Sequence, residues 1–395
     1  MTTGESRRNP YVDVLRGLCI LVVMLLHYAL AYRLHDSPLN RWVSVDTLKT
    51  IFFNGNYGVS VFFVISGFLI TLNTMRRYGD PRDTDIGHFY KLRLFRLYPS
   101  VVLALAIITS LGLAGWTRFV NANPHTDFGD GFFVLGNLSV LTFWHNLLMQ
   151  RVGYFNYAMN VYWSLSVEEV FYLVYPLLLV FVRRRGMLIA LALAGVVAAP
   201  VYRAIHRDDE LFFMYGNLAC LDMLIYGCAA AVLAERARLS PKVRQGIALL
   251  GLIAMGWVYM RGIGGHEAWG ATQIGLAAAV FLVAVHHLPA RRWARRAMAP
   301  LAWLGSHSYE LYLFHIIVLG AIQQALPKAA MTATLKLPVL ILFLALSALV
   351  AWAVARFYGD PLNRVLRRRY ARRTRGTAQR AMPAREDVLA RQDPG

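Results

Sequence analysis

The first long hydrophobic segment carries two ionisable side chains that could do chemistry inside a membrane. It begins at residue 11 and reads YVDVLRGLCILVVMLLHYAL, with Arg16 and His27 eleven positions apart. In a helix this spacing puts both side chains on one face, about 16 Å apart along the axis. A histidine at that depth is a candidate general base. The structural alternative is a snorkelling arginine and a hydrogen-bonded interior histidine.

Two acidic side chains lie in a later segment, NVYWSLSVEEVFYLVYP, which begins at residue 160. Glu168 and Glu169 lie about one and a half turns inside the outer end of the predicted helix, and His27 lies a similar distance from the outer end of its own helix. We therefore expect Glu168 to pair with His27, orienting the imidazole ring and keeping it ready to accept a proton. A structural ion pair or a water-filled vestibule is the alternative.

The segment FYKLRLFRLYP (89–99) brings basic side chains together at the start of another helix. Arg93 and Arg96 are spaced i, i+3 on one helical face, with Lys91 nearby. Guanidinium groups bind phosphates through two parallel hydrogen bonds, so the pair is a candidate phosphate clamp. The alternative is ordinary positive charge at the cytoplasmic end of a membrane helix.

Other polar side chains in hydrophobic segments are each open to two interpretations. His315, which follows SYELYLF, is either functional or a packed polar residue, and Asp222 faces either a neighbouring helix or a cavity. A charge within a membrane helix costs about 2.5–3.5 kcal/mol on insertion scales, so such positions are usually paired or functional. We favour a structural role for His286 and His287, and interpret Arg183–Arg185 as a topology anchor.

The hydrophobic segments that position these residues dominate the chain. Of its 395 residues, 57% are hydrophobic and 16% are charged, whereas soluble domains have about 45–50% apolar and about 25% charged residues. Because a membrane-spanning helix needs about 20 mostly apolar residues, the sequence predicts an all-α, polytopic transmembrane bundle of about ten helices. The predicted spans are 11–32, 50–74, 97–115, 162–182, 187–204, 213–234, 246–262, 269–288, 302–324 and 335–358. The segment 128–148 is apolar but interrupted by Gly and Asn, and predicts a re-entrant or interfacial segment.

Basic residues flank the hydrophobic segments. The formal net charge is +19, and most Lys and Arg lie in segments that are cytoplasmic when the N-terminus is inside, as the positive-inside rule predicts. We interpret the charge as a topology signal and an attraction to anionic lipid, not as a nucleic-acid surface. Both termini are therefore predicted to be cytoplasmic.

The chain is predicted to hold one folded domain. Residues 1–360 form the transmembrane domain, and residues 361–395, rich in Arg, Ala and Gln, are predicted to be a basic, disordered cytoplasmic tail. Cys19, Cys220 and Cys228 all lie in apolar runs without CxxC spacing, so we expect no disulfide framework and no metal site.

Five ordered motifs of the chain together resemble the acyltransferase-3 family, the multi-span, acyl-CoA-dependent O-acyltransferases of bacterial glycans and some secondary metabolites. They are YVDVLRGLCILVVMLLHY (11–28), GVSVFFVISGFLIT (58–71), KLRLFRLYP (91–99), WSLSVEEVFYLVYPLLL (163–179) and LGSHSYELYLFH (304–315). The resemblance extends to about residue 361, where the chain has Asp360 at a position that is commonly Glu in the family. Some relatives carry an extra periplasmic domain that we do not find in this chain, so we expect transfer to finish in the membrane domain or with a partner.

The resemblance implies a catalytic group. The family's Arg-x10-His pattern falls on Arg16 and His27, and its WSL-x-x-E pattern ends at Glu168. We expect His27 to be the base, Glu168 to orient it, and Arg16 to hold the donor arm between the cytoplasmic face and the base.

The resemblance also implies the binding residues. For the donor we expect Arg93 and Arg96 to hold the coenzyme phosphates, assisted by Lys91 and by Ser66 of the SGFL motif. The residues expected at the acceptor are Trp163, Ser164, Glu169 and His315.

The function implied is transfer of an acyl group from acyl-CoA to a hydroxyl of a carbohydrate or glycosylated acceptor at the bacterial inner membrane. Acetyl is the acyl group most frequent in the family, and succinyl or a longer chain stays open, as does the identity of the acceptor. The alternative is a transporter or flippase for a polar or lipid-linked glycan, in which the same charges would line a translocation path. Consumption of a thioester by the purified protein separates the two.

Overall fold

The computed structural model describes residues 9–123 and 125–381, and over these ranges the chain forms helices and no strand. In chain order the α-helices are α1 (Pro10–Tyr32), α2 (Val45–Phe53), α3 (Asn56–Tyr78), α4 (Ile86–Leu113), α5 (Phe132–Leu141), α6 (His145–Val152), α7 (Trp163–Phe181), α8 (Arg185–Ile205), α9 (Glu210–Phe213), α10 (Leu221–Arg236), α11 (Pro241–Arg261), α12 (Gly270–Val285), α13 (Arg292–Ser306), α14 (Ser308–Ala325), α15 (Lys336–Val354) and α16 (Asp360–Ala381). A π-helical turn, Ala355–Gly359, connects the last two.

Eight helical segments of the described chain are long and apolar enough to cross a membrane. Each coincides with one of the predicted spans, and the shorter α12 and the more polar α14 occupy the two that remain, 269–288 and 302–324. The prediction of an all-α, polytopic membrane bundle is confirmed.

The segment 128–148 forms two short helices, α5 and α6, instead of a span. They are separated at Phe143, whose backbone is left-handed (φ 65°). Ten residues of helix extend only about 15 Å, half of the hydrocarbon thickness. The backbone N–H of His145 donates to the Ser166 hydroxyl (3.1 Å), which ties this segment to α7.

Contacts between helix ends show how the chain runs through the bundle. The Asn9 side chain donates to the carbonyl of Val285 (2.7 Å), so α1 begins beside the end of α12. The Tyr32 hydroxyl donates to the carbonyl of Leu326 (2.8 Å), so α1 ends beside the end of α14. Thus α1 and α14 run in one direction and α12 in the other. We call the side on which α1 begins the N-terminal side.

A pair of glycines sets the crossing of α3 and α10. A Cβ on Gly67 would collide with the carbonyl oxygen of Leu224, and a Cβ on Gly227 would collide with that of Val64. Small residues let membrane helices pack backbone to backbone. Because Gly67 directly follows Ser66, the same crossing fixes the position of that serine.

The predicted ninth span is divided into two helices. α13 ends and α14 begins on either side of His307, and α13 packs across the first turns of α1. Gly17 and Gly305 lie at that crossing, where a Cβ on Gly17 would collide with the Leu301 carbonyl. The span was predicted to begin at residue 302, which left the basic run RWARR (292–296) outside it, and the packing of α13 was missed.

A buried ion pair connects three helices. The Arg203 guanidinium of α8 donates to both carboxylate oxygens of Asp222 in α10, at 3.1 and 2.8 Å. The Thr272 hydroxyl of α12 donates to the same carboxylate at 2.6 Å. Asp222 therefore faces its helix neighbours, the first of the two interpretations that the sequence left open. Such bidentate pairing compensates for removing both charges from water.

The tail predicted to be disordered begins instead as a helix, α16, which follows the π-helical turn without a break. Arg, Ala and Leu are good helix formers, and the ring of Tyr370 stacks on His88 of α4 at 5.7 Å. This contact joins residues far apart in the sequence, so amino-acid composition does not indicate it. Residues 382–395 of the predicted tail lie outside the described residues.

We expect the Arg203–Asp222 pair to anchor the bundle. Arg203→Met leaves a buried carboxylate without its partner, which costs about 3–5 kcal/mol, and should lower the Tm of the purified protein in detergent. The double variant with Asp222→Leu should recover part of that loss because no charge is left uncompensated. Equal destabilisation by Arg207→Met, on the exposed turn after α8, would contradict the anchoring role.

Candidate active site

A cavity of about 610 Å³ extends into the bundle from the N-terminal side, between α1, α3, α4, α7 and α14. This volume falls within the range of small-molecule sites, about 300–1,000 Å³. Among the described residues its wall contains one acid, Glu168, and the arginines Arg16, Arg76, Arg77, Arg93, Arg96 and Arg367. The balance of charge favours an anionic ligand.

An ion-pair cluster forms one wall of this cavity. Nε of Arg93 donates to both carboxylate oxygens of Glu169 (3.0 and 3.1 Å), and Nη2 lies 3.4 Å from Glu168. The guanidinium also lies 3.0 Å from the ring centre of Tyr172. With Glu169 only 6% exposed, Arg93 neutralises a buried carboxylate. This differs from the predicted clamp, in which Arg93 and Arg96 both face phosphate.

Glu168 is held by hydroxyl groups. Its Oε1 atom accepts hydrogen bonds from Ser66 and from Tyr172, each at 2.6 Å. Ser66, which was expected at the donor site, does line the cavity, but its hydroxyl is directed to this carboxylate. The hydrogen-bond partners of Glu168 come from α3, α4 and α7, and the predicted pairing with His27 on α1 is not formed.

His27 instead pairs with another histidine, His315 of α14. Nδ1 of His27 lies 3.3 Å from Nε2 of His315, and the two rings meet edge to face at 5.0 Å. His27 is not among the described residues that line the cavity, but Tyr312, whose ring is 5.9 Å from that of His315, does line it. The three rings therefore lead from the cavity wall to His27.

Backbone carbonyls determine which ring nitrogens carry protons in this pair. Nδ1 of His27 lies 2.9 Å from the carbonyl of Val23, and Nδ1 of His315 lies 2.9 Å from those of Leu311 and Tyr312. Because a carbonyl only accepts, each Nδ1 holds a proton. In the neutral state Nε2 of His315 then accepts from His27, and Nε2 of His27 keeps its lone pair. That atom is the one suited to act as a base.

The expected pairing of Glu168 with His27 failed because of where α7 begins. Val161, Tyr162 and Trp163, at the start of this helix, are all buried, so α7 begins inside the protein. Five residues into the helix, Glu168 reaches Arg93, which lies seven residues from the start of α4 on the N-terminal side. Glu168 therefore lies deeper in the bundle, towards the N-terminal side, than its distance from the start of α7 indicated, and it lines the cavity.

Arg16, which was predicted to hold the donor arm, lies in the cavity wall. Its Nη2 donates to the Ser308 hydroxyl at 2.9 Å, and Nη1 lies 3.8 Å from Asp13. The bond to Ser308 joins α1 to the first turn of α14. This holds the guanidinium on the same side of the bundle as the cavity mouth.

The predicted acceptor residues do not share one space, and Glu169 and His315 are not among the described residues that line either pocket. The Ser164 hydroxyl donates to that of Tyr312 at 2.6 Å, so it lies in the inner cavity wall. Trp163 instead stacks on Tyr215 at 4.4 Å and lines a second, small pocket of about 30 Å³. Phe63 lines both spaces and meets Trp163 edge to face at 6.0 Å.

Two other predicted groups have mainly structural surroundings. Lys91 lies 4.9 Å from the ring centre of Tyr370, away from the cavity. His286 lies 3.0 Å from Glu235, and with His287 these side chains could approach a metal ion. However, the guanidinium of Arg76 lies 3.4 Å from His286 and 3.5 Å from Glu235, and so supplies the cation there.

Sequence reasoning missed several residues of the site. The missed residues contribute hydroxyls: that of Tyr172 donates to Glu168, that of Ser308 accepts from Arg16, and that of Tyr312 accepts from Ser164. Tyr172 and Tyr312 each lie on the same helical face as a recognised residue, Glu168 at i−4 and His315 at i+3, and this spacing could have identified them. Nothing in the sequence indicated that Arg367 reaches the cavity.

Comparison with known proteins agrees with the motifs. A family model of the acyltransferase domain matches residues 9–356. O-acetyltransferase OatA of Staphylococcus aureus is 25% identical, and the alignment covers 91% of this chain and 58% of that protein. The putative peptidoglycan O-acetyltransferase YrhL of Bacillus subtilis and the peptidoglycan O-acetyltransferase OatA of Listeria monocytogenes are each 26% identical, with 80% of this chain and 50% of the relative covered.

The chain spans about half the length of these curated relatives. No solved structure shows a significant match. The family model nevertheless covers most of the described chain, including every helix from α1 to α15. This chain belongs to the acyltransferase-3 family.

Proposed function

We propose that this protein transfers an acyl group, acetyl in the simplest case, from acyl-CoA to a hydroxyl of a cell-envelope carbohydrate. The observation that carries the proposal is an arginine-rich cavity whose wall includes Tyr312, with the His27–His315 pair behind that ring. Relatives named O-acetyltransferase support the acetyl group, and two of them, named for peptidoglycan, support a glycan acceptor.

The proposed orientation places the N-terminal side in the cytoplasm of a bacterial inner membrane. The positive-inside rule supports it, because the basic segments 75–96, 289–300 and 359–380 lie on this side. Acyl-CoA is a cytoplasmic metabolite, so its phosphates would remain at the cavity mouth while the narrow pantetheine arm extends inward. The thioester would then lie near Tyr312.

The proposed chemistry needs one base and no resident cofactor. The acceptor hydroxyl oxygen attacks the thioester carbonyl carbon while Nε2 of His27 takes the hydroxyl proton. The carbon–sulfur bond then breaks, the acyl group remains on the acceptor as an ester, and the proton passes to the sulfur of coenzyme A. His315 is a positioning residue, because its Nε2 accepts a hydrogen bond from Nδ1–H of His27.

The cavity wall would keep the donor in place. Arg16, held by Ser308, lies between the mouth and the histidine pair and can bind the donor arm. Arg96 lines the mouth, where phosphate would lie. Glu168 keeps the hydroxyls of Ser66 and Tyr172 in fixed positions beside the arm.

The direct test is turnover of acetyl-CoA by the purified protein with a small saccharide acceptor. His27→Ala should lower kcat by about 10²- to 10⁴-fold, the usual contribution of a general base, and leave acetyl-CoA binding intact. His125→Ala, on an exposed loop, is the matched control and should not change turnover. Full activity of His27→Ala would remove the proposed base, and no thioester consumption by the native protein would favour a transporter.

His315 should affect the rate and not the binding of donor. His315→Ala removes the acceptor that holds Nδ1–H of His27, so kcat of the folded protein should fall while KM for acetyl-CoA stays unchanged. His315→Gln offers a replacement acceptor and should recover part of the rate. A rise in KM without a change in kcat would instead place His315 in a binding role.

Arg93 and Arg96 should behave differently although both are arginines of one motif. Arg93→Ala leaves the buried Glu169 carboxylate without its partner, so it should lower the Tm and the yield of folded protein. Arg96→Ala should leave the Tm unchanged and raise KM for acetyl-CoA, because it removes a charged contact to phosphate. Identical effects of the two substitutions on Tm and KM would contradict this division.

A further inference from the structure

We propose that helix α16, outside the family domain, completes the phosphate-binding mouth of the cavity through Arg367. The site is a three-arginine collar formed by Arg77 of α3, Arg96 of α4 and Arg367 of α16, and its ligand is a phosphorylated group. The inference rests on the proposed function in one respect: that function identifies the phosphorylated group as the nucleotide end of acyl-CoA. The family match ends at residue 356, so Arg367 lies beyond the matched region.

The three side chains converge although they carry the same charge. All three line the cavity and are exposed there. Arg77 and Arg96 lie close enough to Arg367 for their charges to act on it unfavourably. Within the described part of the chain no salt bridge joins any of them to a carboxylate, whereas Arg76 and Arg93 both have acidic partners.

Such convergence is unfavourable unless an anion offsets it. Each guanidinium offers a planar fork that matches two phosphate oxygens. Nε of Arg367 donates to the side-chain oxygen of Asn363, four residues earlier on the same helix, at 2.8 Å. A neutral partner therefore orients this guanidinium. The remaining guanidinium donors of that side chain are left for a ligand at the mouth.

Aromatic packing holds α16 in the position that the collar requires. The Tyr370 ring stacks on His88 at 5.7 Å, meets Phe95 edge to face at 6.1 Å, and lies 4.9 Å from Nζ of Lys91. All three partners belong to α4, the helix that also carries Arg96. Tyr370 is three residues after Arg367, so its docking brings Arg367 to the cavity.

Phosphate could come from the headgroup of an anionic lipid as well as from a soluble nucleotide. The position of the collar on a cavity wall favours the soluble ligand. The two sources are separated by measuring binding in nanodiscs of neutral phosphatidylcholine and in nanodiscs that also contain phosphatidylglycerol.

The test compares Arg367→Ala with Arg368→Ala, which removes the same charge from a neighbouring position that does not line the cavity. In neutral nanodiscs Arg367→Ala should weaken binding of coenzyme A about tenfold, as expected for one charge-assisted contact, and Arg368→Ala should not. Tyr370→Ala should have the same effect as Arg367→Ala by releasing α16, and Tyr370→Phe should bind normally. Equal loss with Arg368→Ala, or a loss seen only with phosphatidylglycerol present, would overturn the proposal.

A second arm separates this inference from the proposed function. Acetyl-pantetheine carries the thioester without the nucleotide phosphates, so its turnover should be insensitive to Arg367→Ala, whereas KM for acetyl-CoA should rise. If the native protein turns over neither thioester, the proposed function fails, yet weakened coenzyme A binding by Arg367→Ala would still support the collar. Normal coenzyme A binding by Arg367→Ala would reject the collar while leaving the transferase proposal standing.

Discussion

Ionised side chains inside an apolar bundle need partners inside the protein, and this constraint organises the structure. In the bilayer an unpaired charge or hydrogen-bonding group is costly because no water can replace the missing partner. Arg203 and Asp222 satisfy each other across α8 and α10. Arg93 and Glu169 do the same across α4 and α7. These pairs fix the relative positions of helices that apolar packing alone would leave free to slide.

The second of these pairs also shapes the cavity. Arg93 makes its shorter contacts with Glu169, and the neighbouring Glu168 accepts hydroxyl hydrogen bonds from Ser66 and Tyr172. Gly67, next to Ser66, permits the close crossing with α10 that keeps the serine there. The adjacent residues Ser66 and Gly67 thus serve two purposes: the glycine allows α3 and α10 to pack closely, and the serine holds Glu168.

The sequence predicted the spans well, because the length of an apolar run and the placement of basic residues are set directly by bilayer thickness and charge. It also identified Arg16, Glu168 and Arg96, which all line the cavity. The pairing of His27 with Glu168 was wrong because equal distances from helix ends were taken as equal depths, and α7 starts within the protein.

The docking of α16 could not be predicted from composition. Its many arginines and its position after the last span are typical of a disordered tail, and the helix depends on contacts of Tyr370 with α4 that are distant in sequence. The same limit applies to His27 and His315, which are 288 residues apart. Helix patterns describe which face a residue occupies but not which helix lies opposite.

The proposed function joins these features in one arrangement. Arg77, Arg96 and Arg367, which form no salt bridge with any described carboxylate, lie exposed at the mouth of the cavity, and the histidine pair lies deeper, behind Tyr312. This order suits a donor with a charged end and a reactive, uncharged thioester. An acceptor could then be modified from the opposite side without the coenzyme crossing the membrane.

That claim is tested most directly in sealed, oriented proteoliposomes that contain acetyl-CoA only on the N-terminal side. A membrane-impermeant saccharide acceptor is supplied to one face at a time, and its acetyl ester is measured. The account predicts acetylation of acceptor on the opposite face, abolished by His27→Ala. Acetylation only of acceptor on the face that holds acetyl-CoA would contradict transfer across the membrane.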